Sequence, residues 1–159
     1  MRKLFTPLLY ILISSQLQAQ NTSEENTIKT LIDTFFEGLH AGDSSIVSKM
    51  LHADIKIQTT FTNKEGVKVL RDQKRDQLLK GIAGKKKEDV YFEKLLSYDI
   101  KIDGNLASVW TPYEFYFNDK FSHCGANSFQ LFNNNGKWEI IYLVDMRKRA
   151  GCKVVEEKK

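Results

Sequence analysis

The chain has 159 residues, which is enough for one domain built around a single hydrophobic core. Hydrophobic residues make up 42% of the sequence and charged residues 28%, and these proportions exclude a disordered or fibrous chain. The net charge of +4 is too small for the clustered basic surface that phosphate contacts require, so we expect no nucleic-acid partner.

The first twenty residues have the layout of a secretory signal peptide. Arg2 and Lys3 precede an apolar stretch over residues 4–13, and a small, polar segment follows with Ala19 at the cleavage position. We therefore expect a signal peptide over residues 1–19 and export to the periplasm or the medium. The apolar stretch is shorter than the roughly 20 residues of a membrane span, so the mature chain should have none. The alternative is a short N-terminal anchor helix.

Two helices are predicted next. Thr22 and Glu25 have the spacing of a capping box at the start of the first helix, and Gly42 suits the turn that ends it. Asp43 is a suitable N-cap for a second, shorter helix through about Leu51. The apolar stripe of the first helix consists of Ile28, Leu31, Ile32, Phe35, Phe36 and Leu39.

Strand patterns dominate the rest of the chain. Alternation over residues 55–59 predicts a strand, residues 67–70 a second strand, and residues 72–81 a third helix. Residues 90–102 read as one strand or a bulged pair, followed by strands over 106–117, 121–132 and 138–147. Asp103-Gly104 and Asn135-Gly136 are hairpin signatures. Helices followed by a meander of strands predict an α+β domain over residues 20–152, with the helices on one face of a curved antiparallel sheet, and a flexible tail over 153–159.

Four segments resemble the nuclear-transport-factor-like superfamily. They are "HAGD" after the first helix, "MLHADI" at the entry to the first strand, the final-strand motif in "FNNNGKWEIIYLVDMR", and "WTPYEFYFNDKFSHCGANSFQLF". The last is most similar to the SnoaL-like and lumazine-binding-like branch of small exported proteins. The resemblance implies a cone-shaped, cystatin-like α+β roll that encloses a cavity. It does not specify a reaction, since the superfamily holds isomerases, cyclases, dehydratases and assembly domains.

Strand pairing estimated from the turns sorts the side chains onto two faces. The loops Asp119-Lys120 and Asn135-Gly136 place Tyr116 opposite His123, Tyr113 opposite Ala126, Phe129 opposite Tyr142, and Leu131 opposite Ile140. One predicted face then carries Trp110, Glu114, Tyr116, His123, Asn127, Phe129, Leu131, Trp138, Ile140 and Tyr142, and the other carries Thr111, Tyr113, Phe115, Ser128, Gln130, Ile141, Leu143, Asp145 and Arg147. Both faces hold large apolar residues, which predicts a homodimer through a sheet face; the alternative is one well-packed core.

The resemblance implies that the face with Asp145 and Arg147 lines the cavity. An acid in an apolar pocket has a raised pKa and can act as a general base or a hydrogen-bond donor. The catalytic candidates are therefore Asp145, His123 and Tyr113. The ligand-binding candidates are Tyr113, Tyr116, Gln130, Asp145 and Arg147. The structural alternative for Asp145 and Arg147 is a simple ion pair, and for His123 it is a hydrogen bond with a neighbouring tyrosine.

No motif indicates a cofactor or a metal. The histidines lack the spacing of a zinc site, and no phosphate loop, dinucleotide fingerprint or nucleophile elbow is present, so neither a metal nor a cofactor is expected.

The two cysteines, Cys124 and Cys152, could form a disulfide in an exported protein. The estimated pairing places Cys124 opposite Arg147, five residues before Cys152. Five extended residues span roughly 17 Å, more than the ~7 Å between Cα atoms that a disulfide allows. The bridge therefore requires the chain to fold back at Ala150-Gly151, and the sequence leaves this open.

Three functional hypotheses follow. The first is an exported cavity protein without demonstrable enzymatic activity that binds a small apolar or aromatic ligand. The second is a cofactor-independent isomerase, cyclase or dehydratase that uses Asp145, Tyr113 or His123. The third is a dimeric interaction or assembly module with a filled core.

Overall fold

The computed structural model describes the backbone of residues 6–152 and the side chains of residues 22–152. The predicted signal peptide over residues 1–19 therefore lies outside the residues whose side chains are described, and the predicted tail over 153–159 lies outside the described chain altogether.

Three helices are present in this part of the chain: α1 (Thr6–Ala41), α2 (Ser44–Met50) and α3 (Arg75–Ala83). The predicted N-cap of α1 at Thr22 is wrong, because the backbone is already helical before it and residues 8–37 contain no Gly or Pro to interrupt the helix. The predicted cap of α2 is confirmed: the Asp43 carboxylate accepts hydrogen bonds from the backbone N–H groups of Ser45 and Ile46, at 2.9 and 3.2 Å.

The strands described form one seven-stranded sheet. They are β1 (Leu51–Thr62), β2 (Lys68–Gln73), β3 (Tyr91–Leu95), β4 (Asp99–Asp103), β5 (Leu106–Phe117), β6 (Lys120–Asn134) and β7 (Lys137–Lys148). The order is β2-β1-β7-β6-β5-β3, and β4 also pairs with β5. Neighbours are antiparallel except for β1 and β7, which run parallel. The stretch predicted as one strand or a bulged pair is thus two strands, β3 and β4, that pair with the same long neighbour.

Two hairpin turns determine the pairing of the long strands. Asn135 and Gly136 both have positive φ, at 53° and 94°, as a two-residue turn of this type requires. The preceding loop, expected at Asp119-Lys120, is instead Asn118-Asp119, with φ of 50° and 60°. Asn and Asp tolerate the left-handed conformation better than other side chains do, which explains the shift by one residue.

Two bulges change the register that the turns alone predict. In the hairpin of β5 and β6, Tyr116 pairs with Phe121 but Phe115 pairs with His123, so Ser122 is the extra residue. In the hairpin of β6 and β7, Leu131 pairs with Ile140 but Gln130 pairs with Tyr142, so Ile141 is the extra residue. The predicted pairs Tyr116–His123, Tyr113–Ala126 and Phe129–Tyr142 are therefore wrong, and the observed pairs are Phe115–His123, Tyr113–Gly125 and Phe129–Leu143.

The core lies between the helices and one face of the sheet, called here the inner face. Phe35 and Phe36 of α1 pack edge to face against Phe129 of β6, with ring centroids 6.0 and 6.2 Å apart. Val109 and Leu131 lie beside Phe129, and both are fully buried. The opposite side of the sheet is called the outer face. The inner face also carries the core residues Ile55, Ile57, Ala107, Ile140 and Leu143.

A disulfide joins Cys124 of β6 to Cys152, with the Cα atoms 5.9 Å apart. Cys124 pairs with Lys148, and Gly151 has a φ of +68°, which turns the chain back toward the sheet. The fold-back that the sequence left open at Ala150-Gly151 is therefore present, and the bond ties the segment after β7 to the centre of the sheet.

Removing this bond should destabilise the fold. The disulfide closes a loop of 28 residues, and a loop of this size predicts a loss of about 2–4 kcal/mol in the free energy of unfolding. We expect this loss in urea unfolding of the double variant Cys124→Ala/Cys152→Ala and, to a similar extent, in Cys152→Ala alone, since each breaks the same bond. An unchanged urea midpoint in both variants would show that the bond contributes nothing to the fold.

Candidate functional site

The inner face changes from apolar to polar beyond the core. One row of side chains crosses five strands in register, in the order Arg71, Thr59, Asp145, Asn127 and Thr111. Because directly paired residues point to the same side of a sheet, these five groups form a continuous polar band. Asn127 and Thr111 are buried, so the band continues directly from the core.

A second row lies next to the first on the same face. It contains Val69, Phe61, Arg147, Gly125 and Tyr113 in register. Gly125 is required here: a Cβ at this position would lie 1.8 Å from the Met146 carbonyl oxygen and 2.9 Å from the Tyr113 ring. The absence of a side chain therefore leaves room for the Tyr113 ring beside the backbone of β6.

Glu93 of β3 reaches into this band. The Asn127 Nδ2 donates to its Oε1 at 2.7 Å. Burial raises the pKa of Glu93 to about 7, the hydrogen bond from Asn127 opposes this rise, and the charge of Asp145 adds to it. Glu93 can therefore hold or release a proton near neutral pH.

The backbone of Glu93 is fixed from the helix side. Its N–H donates to Nε2 of His40 at 2.8 Å, which places the proton of the neutral ring on Nδ1. Burial lowers the pKa of His40, which keeps the ring in the neutral form that this bond needs. The end of α1 thus holds the edge strand β3 in place at the site.

Tyr113 is close enough to Glu93 and Asp145 to feel the charges of both carboxyl groups. It is almost completely buried, and its hydroxyl lies 3.5 Å from the Met146 carbonyl oxygen. Burial, followed by the negative charges of Glu93 and Asp145, raises the pKa of Tyr113 well above its usual value. Its hydroxyl therefore stays protonated and can donate a hydrogen bond within the cluster.

Asp145 and Arg147 form an ion pair, with Nε of Arg147 2.5 Å from Oδ2 of Asp145. Burial alone would lower the pKa of Arg147, but the hydrogen bond and charge of Asp145 outweigh it and raise the pKa above its usual value. The simple ion pair that was the structural alternative for these two residues is therefore present. It also keeps both side chains on the inner face.

His123 is stacked on the Phe115 ring, with centroids 4.8 Å apart, and meets the Tyr113 ring edge on at 5.8 Å. Burial, followed by the positive charge of Arg147, lowers the pKa of His123 to about 4. The ring is therefore neutral at physiological pH. The predicted partner Tyr116 is on the other face, so the expected hydrogen bond between the two is absent, and the Ser122 hydroxyl lies 3.1 Å from Nδ1 instead.

A cavity of about 1080 Å³ opens where the ends of β1, β2 and β7 meet. Its wall includes Phe61, Val69 and Arg71, together with His123 and Arg147. A pocket of this volume accommodates a small organic molecule. The polar cluster on the inner face, defined as Glu93, Tyr113, Asn127, Asp145 and Arg147, is thereby connected to an open cavity through the Arg147 side chain.

The structure does not bring all predicted site residues together. Tyr113, His123, Asp145 and Arg147 lie on the inner face, whereas Tyr116 and Gln130 lie on the outer face. Their placement beside the cavity is therefore corrected. For Gln130 the cause is the bulge in β7, since one extra residue moves every following side chain to the opposite face. Tyr116 was already predicted on the face opposite Asp145 and Arg147, and the structure places it there.

Tyr116 and Gln130 are bonded on the outer side of the sheet. The Tyr116 hydroxyl donates to Oε2 of Glu114 at 2.8 Å, and Nε2 of Gln130 donates to the Ser108 hydroxyl at 3.2 Å.

Two members of the polar cluster were missed from the sequence. Glu93 occupies an apolar position in the alternation Tyr91, Glu93, Leu95, and a charged residue at such a position is a signal of a site. Asn127 was assigned to the opposite face by the same register error that displaced Gln130. Arg71, which lies in the cavity wall, could not be recognised as a site residue from the sequence, because the strand that carries it was predicted only through residue 70.

No three side chains of His, Cys, Asp or Glu come together as a metal site within the described part of the molecule. In the same part of the chain, no helix is both long and apolar enough to cross a membrane.

Comparison with known proteins identifies relatives of this fold. A sequence profile of the family described as Putative lumazine-binding matches residues 23–144. Among curated proteins, no sequence matches this chain.

Several solved structures are similar. An NTF2-like protein with a cystatin-like fold from Novosphingobium aromaticivorans superposes with a TM-score of 0.62 at 15% identity, over 96% of this chain and 95% of that chain. A protein of unknown function from Mycobacterium tuberculosis gives a TM-score of 0.65 at 14% identity, over 82% and 75%. An NTF2-like protein of unknown function from Shewanella baltica gives 0.60 at 17% identity, over 81% and 97%. These likenesses confirm the cone-shaped α+β fold.

The protonation of Glu93 can be measured directly. An NMR titration of its carboxyl carbon should give a midpoint near 7 rather than the ordinary 4.5. Asn127→Leu removes the hydrogen bond that favours the charged form, so the midpoint should rise further, while the exposed control Asn134→Leu should leave it unchanged.

The raised pKa of Glu93 also makes the free energy of unfolding depend on pH. Because folded Glu93 keeps its proton to higher pH than the unfolded chain, its stabilising contribution is complete below about 4.5 and is lost as the pH rises toward 7. An NMR titration midpoint for Glu93 at the ordinary value of 4.5 would show that its carboxyl group is not buried.

Proposed function

Because this chain belongs to the Putative lumazine-binding family, within the nuclear-transport-factor-like superfamily, we propose that it binds a small apolar or aromatic molecule in the cavity at the ends of β1, β2 and β7. Phe61 and Val69 would contact the apolar part of the ligand, and Arg147 would present the polar cluster to it. Lumazine itself is not implied by the family description.

The observation that carries this proposal is the continuity of the polar cluster with an open cavity. Buried polar groups are costly unless they are bonded, and a fold that needed only a core would place apolar residues at these positions. Here Glu93, Asn127, Asp145 and Arg147 are collected on one face by three strands, with two hydrogen bonds of 2.7 and 2.5 Å among them. A rigid set of polar groups beside an apolar wall is the usual composition of a ligand site.

Export is part of the proposal. The segment over residues 1–19 has the composition of a signal peptide cleaved near Ala19, and a disulfide is typical of proteins that fold outside the cytoplasm. The mature protein would then meet its ligand in the periplasm or the medium.

A second candidate function is cofactor-independent proton transfer, as in an isomerase, cyclase or dehydratase. It is favoured by Glu93, whose pKa of about 7 suits a general acid or base at neutral pH. Asp145 could take the base role considered from the sequence, with Tyr113 as a hydrogen-bond donor to a developing oxyanion.

The outer face supports a proposed homodimer. Its exposed side chains include Trp110, Leu106 and Phe121, with exposed fractions of 51%, 48% and 41%. Large apolar side chains grouped on one sheet face are typical of an interface between copies. This arrangement would leave the inner face and its cavity free in each subunit.

The ligand should be detectable by native mass spectrometry of the mature protein purified from its own host. A defined extra mass would support ligand binding, and incubating the extracted compound with fresh protein would separate a bound ligand, which is unchanged, from a substrate, which is converted. The variant Val69→Trp, which narrows the cavity, should lose the adduct, while the exposed control Val67→Trp should keep it. A protein without any adduct that also binds no added small molecule would favour the assembly module instead.

The dimer has its own test. Trp110→Arg places a charge in the middle of the outer face and should convert the dimer to a monomer in size-exclusion chromatography with light scattering. Val67→Arg is the matched control, since Val67 is equally exposed but lies in the turn between β1 and β2. A monomeric parent protein, or a dimer that survives the Trp110 change, would contradict the proposed interface.

A further inference from the structure

The wall of the cavity carries an excess of positive charge. Five of its residues are cationic, and they come from two strands and the segment that follows: Lys68 and Arg71 of β2, Lys148 and Arg147 of β7, and Arg149. Among the residues whose side chains are described, no Asp or Glu belongs to the same wall. This contrasts with the whole chain, whose net charge of only +4 gives no reason to expect such a cluster.

Only one of these cations is neutralised by a nearby acid. Arg147 forms its ion pair with Asp145. Arg71 is held over the Phe61 ring, with its guanidinium carbon 4.8 Å from the centroid, and this contact leaves its charge uncompensated. Within residues 22–152, no ion pair involves Lys68, Lys148 or Arg149. Within residues 22–152, four cations therefore line one cavity without an acid paired to them. Arg71 comes from the inner face, Lys68 and Lys148 from the outer side of the strand ends, and Arg149 from the segment after β7.

Such a grouping is unfavourable in the unliganded protein. Like charges at the rim of a low-dielectric cavity repel each other, and the cavity walls focus their field inward. At His123, burial and then the charge of Arg147 lower the pKa, Asp145 opposes them, and Arg149 adds a smaller lowering. An anion placed in the cavity would relieve this repulsion.

The remaining wall is apolar. Phe61, Val69, Leu70 and Met146 contribute aromatic and aliphatic surface beside the cations. A purely inorganic anion would leave this surface in contact with water, whereas a neutral apolar ligand would leave the cations uncompensated. The cavity of about 1080 Å³ is also of the size that takes a small molecule rather than a polymer.

We propose that the ligand of this cavity is an amphipathic anion, with a carboxylate or phosphate group held by uncompensated cations of the wall, Arg71 among them, and an apolar or aromatic body against Phe61 and Val69. This inference rests on the proposed ligand-binding function and adds the charge and the orientation of the molecule. The planar guanidinium of Arg71, already oriented by Phe61, is suited to bidentate contact with either anionic group.

The test compares ligands that share a naphthalene group and differ in charge. Naphthoate, naphthyl phosphate and neutral naphthol are titrated into the mature protein by calorimetry near neutral pH and low salt. We expect each anion to bind at least about tenfold more tightly than naphthol, since charge-assisted hydrogen bonds are about twice as strong as neutral ones. Raising the salt concentration should weaken the binding of the two anions and leave the binding of naphthol unchanged. The ratio of naphthoate to naphthyl phosphate affinity then identifies the preferred group.

Matched variants locate the anion. Lys68→Gln/Arg71→Gln and Lys148→Gln/Arg149→Gln each remove two cavity cations, and each should weaken naphthoate about tenfold while leaving naphthol unchanged. The control Lys86→Gln/Lys87→Gln removes two exposed cations outside the cavity wall and should have no effect. All of these side chains are at least partly solvent-exposed, and circular dichroism checks that each variant is folded.

The possible outcomes distinguish an anionic ligand from the more general function of ligand binding in the cavity. Equal binding of naphthoate and naphthol would overturn the anionic ligand and leave the cavity-binding function intact. An anion preference that persists in both cavity double variants would overturn this location. Binding of none of the three compounds would overturn both the anionic ligand and the proposed function.

Discussion

The extra residue in β7 is the constraint on which the rest of the structure depends. Ile140 and Leu143 both face the core, although they are separated by two residues instead of one, because Ile141 is accommodated in a bulge. Without it, the register set by the Asn135-Gly136 turn would place Asp145 and Arg147 on the outer face. With it, the same strand contributes first to the hydrophobic core and then to the polar cluster.

The polar cluster is stable because its members compensate each other. A buried carboxyl group is costly when charged, and the protein responds in two ways. Asp145 is paired with Arg147, whereas Glu93 keeps its proton to about pH 7 and accepts a hydrogen bond from Asn127. Removal of one partner would therefore change the protonation of the others. The cavity cations beyond Arg147 lack such compensation, and this difference separates the internal polar framework from the surface offered to a ligand.

Much of the fold could be predicted from the sequence, since helix periodicity, the Asp43 cap, the Asn135-Gly136 turn and the family motifs all depend on local patterns. The inner-face positions of Tyr113, Asp145 and Arg147 agreed with the resemblance. Gln130 was misplaced, and Asn127 was missed, because a bulge has no clear sequence signature and one extra residue exchanges the faces of a strand. The apolar character of both predicted faces was the visible sign of this error. The cationic wall depends on the parallel pairing of β1 with β7, which brings β2 and the end of β7 together and which local patterns do not specify.

A crystal structure of the mature protein with bound naphthyl phosphate would show where the ligand and its charged group lie. We expect electron density for the naphthyl group against Phe61 and Val69, with the phosphate within hydrogen-bond distance of Arg71 or of the cations at the end of β7, and with the pair of Asp145 and Arg147 intact. Density for the ligand only on the outer face, or a cavity filled by the protein's own side chains, would contradict this expectation.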